Sequence, residues 1–178
     1  MLDALISNKT RIKLLLRFFL NPGSTSYLRG LEEEFGESTN AIRVELNRFE
    51  EAGLLTSSVE GNKKIFMAND HHPLYNEINS ILRKHVGLDR IVEQVVNKLG
   101  NVTRAFLVGD LAAGLDTHTI DLALVGKNIN RENLDKYINK AESLINRKIH
   151  CEVVKESEEK RYFKDYPGIL LIWEKNGK

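Results

Sequence analysis

Apolar side chains recurring three and four apart mark the helices at the start of this chain. Ile12, Leu15, Leu16 and Phe19 predict a helix that Asn8 caps and Asn21-Pro22-Gly23 ends. Tyr27, Leu28, Leu31 and Phe35 predict a second, buried through those four residues, from about Ser26 to Phe35. The short link Gly36-Glu37 then delivers Ser38 or Thr39 as the cap of a third. In the third helix Ile42, Leu46 and Phe49 face inward, and Gly53 stops it. The period then changes to two: Leu55 to Ser58 and Lys64 to Ala68 read as strands around the turn Glu60-Gly61-Asn62-Lys63. Past His72 the pattern predicts a connecting helix from Pro73 to Arg83, with the proline in its first turn, and another from Asp89 to Leu99. Strands at Thr103 to Val108, Thr119 to Val125, Lys148 to Val154 and Ile169 to Trp173 follow, with helices at Arg131 to Ile145 and Ser157 to Tyr166 between the later ones. The expected architecture is α+β: an N-terminal domain over residues 1–70, connecting helices over 71–100 and a C-terminal α/β domain with a mixed sheet over 101–178.

Composition adds few constraints. The 178 residues are 42% hydrophobic and 29% charged, ordinary for a globular protein. Arg17 interrupts the apolar run Leu14 to Leu20, no small-residue cleavage site follows it, and no apolar run is long enough to span a bilayer. Cys151 is the single cysteine and cannot form an internal disulfide, so a cytoplasmic location is expected, with no membrane partner. Residues 1–70 hold nine Lys/Arg against ten Asp/Glu, a net of minus one, so bulk attraction to phosphate is weak and placement decides. Lys9, Arg11, Lys13, Arg29, Arg43, Arg48, Lys63 and Lys64 are expected to line one surface.

The outer face of the third helix carries Asn40, Val44 and Asn47, flanked by Arg43 and Arg48. That mix can hydrogen-bond base edges and touch a thymine methyl. Three helices followed by a basic hairpin resemble the winged helix-turn-helix repressors of bacteria and archaea, most closely at Glu50-Glu51-Ala52-Gly53-Leu54-Leu55. The resemblance implies double-stranded DNA as partner, with Asn40, Arg43, Val44, Asn47, Arg48, Lys63 and Lys64 as the binding residues, and a homodimer as the binding form.

Phe106 to Val125 resembles a second family, the minimal nucleotidyltransferases of the DNA polymerase beta superfamily. Their pattern places an apolar strand before Gly-Ser, an Arg-Gly two residues on, and Ser-Asp-Ile-Asp-Leu on the next strand. Here Gly109 and Gly114 keep the spacing, but Asp110 stands at the serine, Ala113 at the arginine and Thr119 at the first carboxylate. Asp121 keeps the second carboxylate, and Glu152 is the acid of the third strand. Two carboxylates at i and i+2 hold Mg²⁺ because alternate strand residues face one side. Asp110 instead adds negative charge where a triphosphate would sit. The resemblance therefore implies a degenerate site at Gly109, Asp110, Thr119, Asp121 and Glu152, with no catalytic residue, no metal and no cofactor. The domain then serves as a sensor or interaction module for a small-molecule or protein effector. The alternative is an active Mg²⁺-dependent nucleotidyltransferase, directed or autoregulated by its winged helix, with Asp116 swinging in as a replacement ligand.

The remaining candidates read as structural. Asp110 can cap a helix, His71 and His72 suit capping or solvent, and His150 and Cys151 alternate across a strand, so they cannot chelate one ion together.

Overall fold

The computed structural model describes residues 2–21, 23–166 and 168–175. The chain divides into two compact units, Met1–His85 and Val86–Lys178.

The first unit opens with the short helix α1 (Leu2–Leu5) and α2 (Lys9–Leu15). The Asn8 side chain caps α2 by accepting from Arg11 N–H at 3.1 Å. Leu16–Leu20 continues the rod as a π-helix, with Leu16, Phe18, Phe19 and Leu20 all buried. The fifth residue, Arg17, pairs with Glu34 at 2.9 Å, and the four apolar ones belong inside. The end of this π-helix leaves backbone carbonyls without helical partners, and the Phe19 carbonyl accepts from the Asn79 amide of α5 (Tyr75–Val86) at 2.5 Å. The Phe19 and Tyr75 rings pack at 5.7 Å beside it.

The second predicted helix starts later than its periodicity suggests. Thr25–Tyr27 forms β1, pairing antiparallel with Met67 to Ile65, and α3 runs only from Leu28 to Phe35. Backbone pairing with the hairpin outcompetes two more helical residues here, which leaves Tyr27 and Leu28 half-buried. Ser38 caps α4 (Thr39–Glu51) through Ala41 N–H at 3.3 Å. Gly53, at φ +72°, ends α4 in a Schellman motif: Leu54 N–H reaches the Phe49 carbonyl and Gly53 N–H the Glu50 carbonyl, both at 2.9 Å. β2 (Leu55–Glu60) and β3 (Lys63–Ala68) then pair up to the two-residue turn Gly61-Asn62, giving a three-stranded antiparallel sheet in the order β1-β3-β2. Pro73 stands before α5 rather than inside it, in a turn where the His72 ring nitrogen accepts from Leu74 N–H at 3.1 Å.

The second unit begins with a rod made of α6 (Leu88–Ile91), a π-helical turn (Val92–Val96) and α7 (Asn97–Leu99). A four-stranded mixed sheet follows, in the order β6-β5-β4-β7. β4 (Val102–Val108) pairs antiparallel with β5 (Thr119–Gly126) and with β7 (Ile169–Glu174), while β6 (Lys148–Val154) lies parallel to β5. The parallel pair needs a crossover, supplied by α9 (Arg131–Ile145), which Asn130 caps through Asn133 N–H at 3.0 Å. One sheet face carries Ala105, Leu107, Ile120, Leu122 and Leu124, all fully buried or nearly so. On the other, Val108, Ala123, Val125 and Val154 lie beneath Phe106, Tyr162, Phe163 and Tyr166. The segment carrying these aromatics is shorter in helix than expected, an α10 of Glu159–Tyr162 and a 3₁₀ turn at Phe163–Asp165.

Candidate nucleic-acid interface

Every third or fourth residue of α4 is committed to the core: Ile42, Leu46 and Phe49 are at most 5% exposed. That leaves Asn40, Arg43, Val44, Asn47 and Arg48 on the outer face, all exposed. β3 approaches the same helix. A groove of about 490 Å³ lies between them, lined by Tyr27, Leu28, Arg29, Arg43, Leu46, Asn47, Asn62, Lys63, Lys64 and Phe66. It brings together Arg43, Asn47, Lys63 and Lys64 from the sequence-derived set, whereas Asn40, Val44 and Arg48 lie on α4 outside its lining. Tyr27 and Asn62 are additions the sequence reading missed, because β1 and the hairpin tip enter the groove only through long-range strand pairing.

The basic side chains divide into two kinds. Five of the nine in residues 1–70 form ion pairs: Arg11 and Arg48 with Glu45, Lys13 with Glu37, Arg17 with Glu34, and Lys64 with Glu50, all at 2.6 to 2.9 Å. Arg11 and Lys13, expected on one surface with Lys63, lie outside the groove's lining and are paired with acids of the unit's own packing. The other four, Lys9, Arg29, Arg43 and Lys63, have no acidic partner among the described residues, and three of them line the groove. Lys63 stands 4.1 Å above the Tyr27 ring, a cation–π contact that holds its stem across the groove and leaves its charge uncancelled.

Glu45 anchors this arrangement from below. It is 2% exposed and accepts from Arg11 at 2.7 Å, Arg48 at 2.6 Å and Asn8 at 3.1 Å. Burial alone would raise its carboxyl pKa, but the Arg11 and Arg48 guanidiniums outweigh it and hold the group below the ordinary carboxylate value.

In the second unit, Gly109 turns β4 into α8 (Gly109–Ala112) at φ +71°. A Cβ there would stand 3.3 Å from an Asp121 carboxylate oxygen, so glycine allows the close approach. Asp121 shares its strand face with exposed Thr119 and faces His150 across the parallel pair, Nδ1 to Oδ1 at 3.3 Å. Glu152 lies opposite Ala123, two pairs further along and on the same sheet face, and bonds the Tyr162 hydroxyl. Burial, then the bonds to Tyr166 and Glu152, push that phenol above its ordinary value. Asp110 is exposed in the first turn of α8 and does not cap it, since Val108 holds the cap position without a side-chain bond. Asp116 is held by Arg147 at 2.9 Å. The described residues contain no group of three His, Cys, Asp or Glu side chains gathered as ligands for a metal ion. The donor set thus fits Mg²⁺ poorly: Thr119 stands where the i, i+2 pair needs its first carboxylate, Asp121 faces an imidazole, and Glu152 on the same sheet face bonds Tyr162. Cys151 faces the opposite way, and burial with the nearby Glu152 and Asp135 charges pushes its thiol up to about 12, an unreactive thiol. No described helix is long and apolar enough to cross a membrane.

No family model and no curated protein matches the chain. Solved structures give partial likenesses. AF1382 from Archaeoglobus fulgidus aligns at 18% identity and a TM-score of 0.39, over 47% of this chain and 96% of that one. A provisionally assigned nucleotidyltransferase from Sulfolobus solfataricus aligns at 25% identity and 0.39, over 55% and 86%. TubR from Bacillus thuringiensis serovar israelensis, solved on 24 bp of tubC, aligns at 21% identity and 0.37, over 47% and 89%.

Proposed function

We propose that this chain is a DNA-binding transcription regulator, with residues 1–70 acting as a winged helix-turn-helix and α4 as the helix that enters the major groove. The observation that carries the reading is the distribution of cations: although residues 1–70 have a net charge of minus one, three of the four basic side chains left without an acidic partner among the described residues line the groove beside α4. Arg43 and Asn47 face base edges, with Asn40 and Val44 on the same helix face, while Arg29, Lys63 and Lys64 meet phosphates. Residues 71–100 serve as connecting helices. Residues 101–178 serve as a nucleotidyltransferase-like module without transfer chemistry, for an effector or protein partner.

One such helix reads a short half-site, so the regulator works as a homodimer. Ile12, Leu15, Leu16 and Phe19 of the first helix are consumed by the core, which leaves α5 as the dimer surface. Leu74 and Ile81 are 55% and 44% exposed, with half-buried Ile78 between them. A two-fold antiparallel pairing about the middle of α5 sets Ile78 on Ile81 of the second copy and Glu77 beside its Lys84.

The test is retardation of labelled genomic fragments by the full chain at low salt, beside the triple variant Arg29→Ala, Arg43→Ala, Lys63→Ala. Binding lost in the triple variant, with its helical content intact, is the expected result. A wild-type chain that retards no fragment refutes the reading.

A further inference from the structure

Two of the candidate DNA contacts are already occupied by acids of the same unit, and that occupation has a functional consequence. Glu50, in the last turn of α4, reaches across to the hairpin: its Oε2 accepts from Lys64 Nζ at 2.7 Å and its Oε1 from Ser57 Oγ at 2.5 Å. Ser57 on β2 pairs with Phe66 on β3, and Lys64 with Val59, so Ser57, Lys64 and Phe66 share the sheet face turned toward α4. Lys64 remains 46% exposed at the groove's rim and stands 5.1 Å over the Phe66 ring, so a phosphate can still approach it. Glu45 holds Arg48 in the same manner, though its other bonds are buried.

Resting on the DNA-binding reading, we propose that Glu50 is a specificity-determining residue: by neutralising Lys64 it holds one phosphate contact in check, so that affinity for random sequence stays low and discrimination falls to Arg43 and Asn47. Phosphate contacts carry no sequence information, and each adds about 0.9 to the slope of log affinity against log salt. A lysine shared with a carboxylate 2.7 Å away releases little counterion when DNA arrives, because its charge is already met. Glu50 does not itself touch DNA in this scheme. It acts through Lys64.

The experiment measures affinity of the full chain for a random-sequence duplex and for its preferred fragments, from about 0.05 to 0.2 M salt. Glu50→Gln keeps the side chain's shape and an acceptor for Ser57 but frees Lys64. The expected result is a salt slope steeper by about 0.9 and, per tenfold dilution of salt, up to about eightfold tighter binding to the random duplex. The ratio of specific to random affinity falls with it. Glu50→Ala, which also drops the bond to Ser57, is expected to steepen the slope equally. In a Lys64→Ala background Glu50→Gln is expected to change nothing, which separates this role from a merely structural one. Weaker binding by Glu50→Gln at an unchanged slope, or an effect that persists without Lys64, overturns the inference while the DNA reading stands. A wild-type chain that binds neither duplex overturns both.

Discussion

Asn47 and Arg43 stand one turn apart on α4 and line the same groove, so on the proposed DNA-binding reading the loss of either removes hydrogen bonds to particular bases and nothing from the core. Asn47→Ala or Arg43→Ala is expected to weaken preferred sites by about 1 to 3 kcal/mol while leaving random-sequence affinity closer to wild type, as competition binding reads directly. Lys63→Ala removes a cation from the groove, and on the same reading is expected to weaken all sequences alike and to flatten the salt dependence by about 0.9. The exposed face of α4 was legible in the sequence because helical period assigns faces without knowledge of partners. The pairing of cations was not. Glu45 meets Arg11 34 positions away and Asn8 37 positions away, and Lys64 meets Glu50 14 positions away. Only the folded packing of helix against helix and helix against hairpin brings such groups to bonding distance.

Elements whose signals are local came through at their bounds: α9 from Arg131 to Ile145 and β6 from Lys148 to Val154 match the sequence expectation, and the Asn8 and Ser38 caps are made as read. β1 was hidden because three residues carry no period, and what makes them a strand is β3 alongside, some 40 positions on. Between elements, the tie with the greatest consequence is Glu45, which joins α4 to α2 and to the Asn8 cap. Arg11 and Arg48 are themselves partly exposed, so Glu45→Ala leaves two guanidiniums that can turn to solvent. The expected cost is that of lost charge-assisted bonds, about 2 kcal/mol by urea unfolding. Glu45 and Glu37 also set the pH response. Burial raises the Glu37 carboxyl, but bonds from Lys13 and Thr10 outweigh it, so both acids titrate below their ordinary value when folded. A depressed folded pKa contributes stability that is complete above the unfolded value, near 4.3, and is lost as pH falls through the folded one. Stability is therefore expected to hold flat from about pH 6 to 8 and to decline below about pH 4, with a shallower decline in Glu45→Gln. A decline that is equally steep in the variant would remove Glu45 from the account.

At the scale of the whole chain, the proposed reader of DNA is joined to a unit whose sequence from Phe106 to Val125 keeps the spacing of the minimal nucleotidyltransferase pattern but whose acids are spoken for. An active site must hold Mg²⁺ against a triphosphate with paired carboxylates and offer donors to its phosphate oxygens. Here Thr119 fills one carboxylate position, Asp121 faces His150 at 3.3 Å, Glu152 bonds Tyr162, and Asp116, the one loop acid that could swing in, is tied to Arg147. Asp110 adds an exposed negative charge at the mouth of the same turn. Each of these changes opposes the approach of a metal-bound triphosphate, and together they predict a silent domain. The full chain, incubated with labelled nucleoside triphosphates, Mg²⁺ or Mn²⁺ and cell extract, is expected to give no labelled product. Asp110→Ser with Thr119→Asp is the least change expected to restore metal affinity, read by calorimetric titration with Mn²⁺. Labelling by the natural sequence that disappears in Asp121→Ala would show that a single carboxylate suffices here, and would make the second unit an enzyme directed by the first.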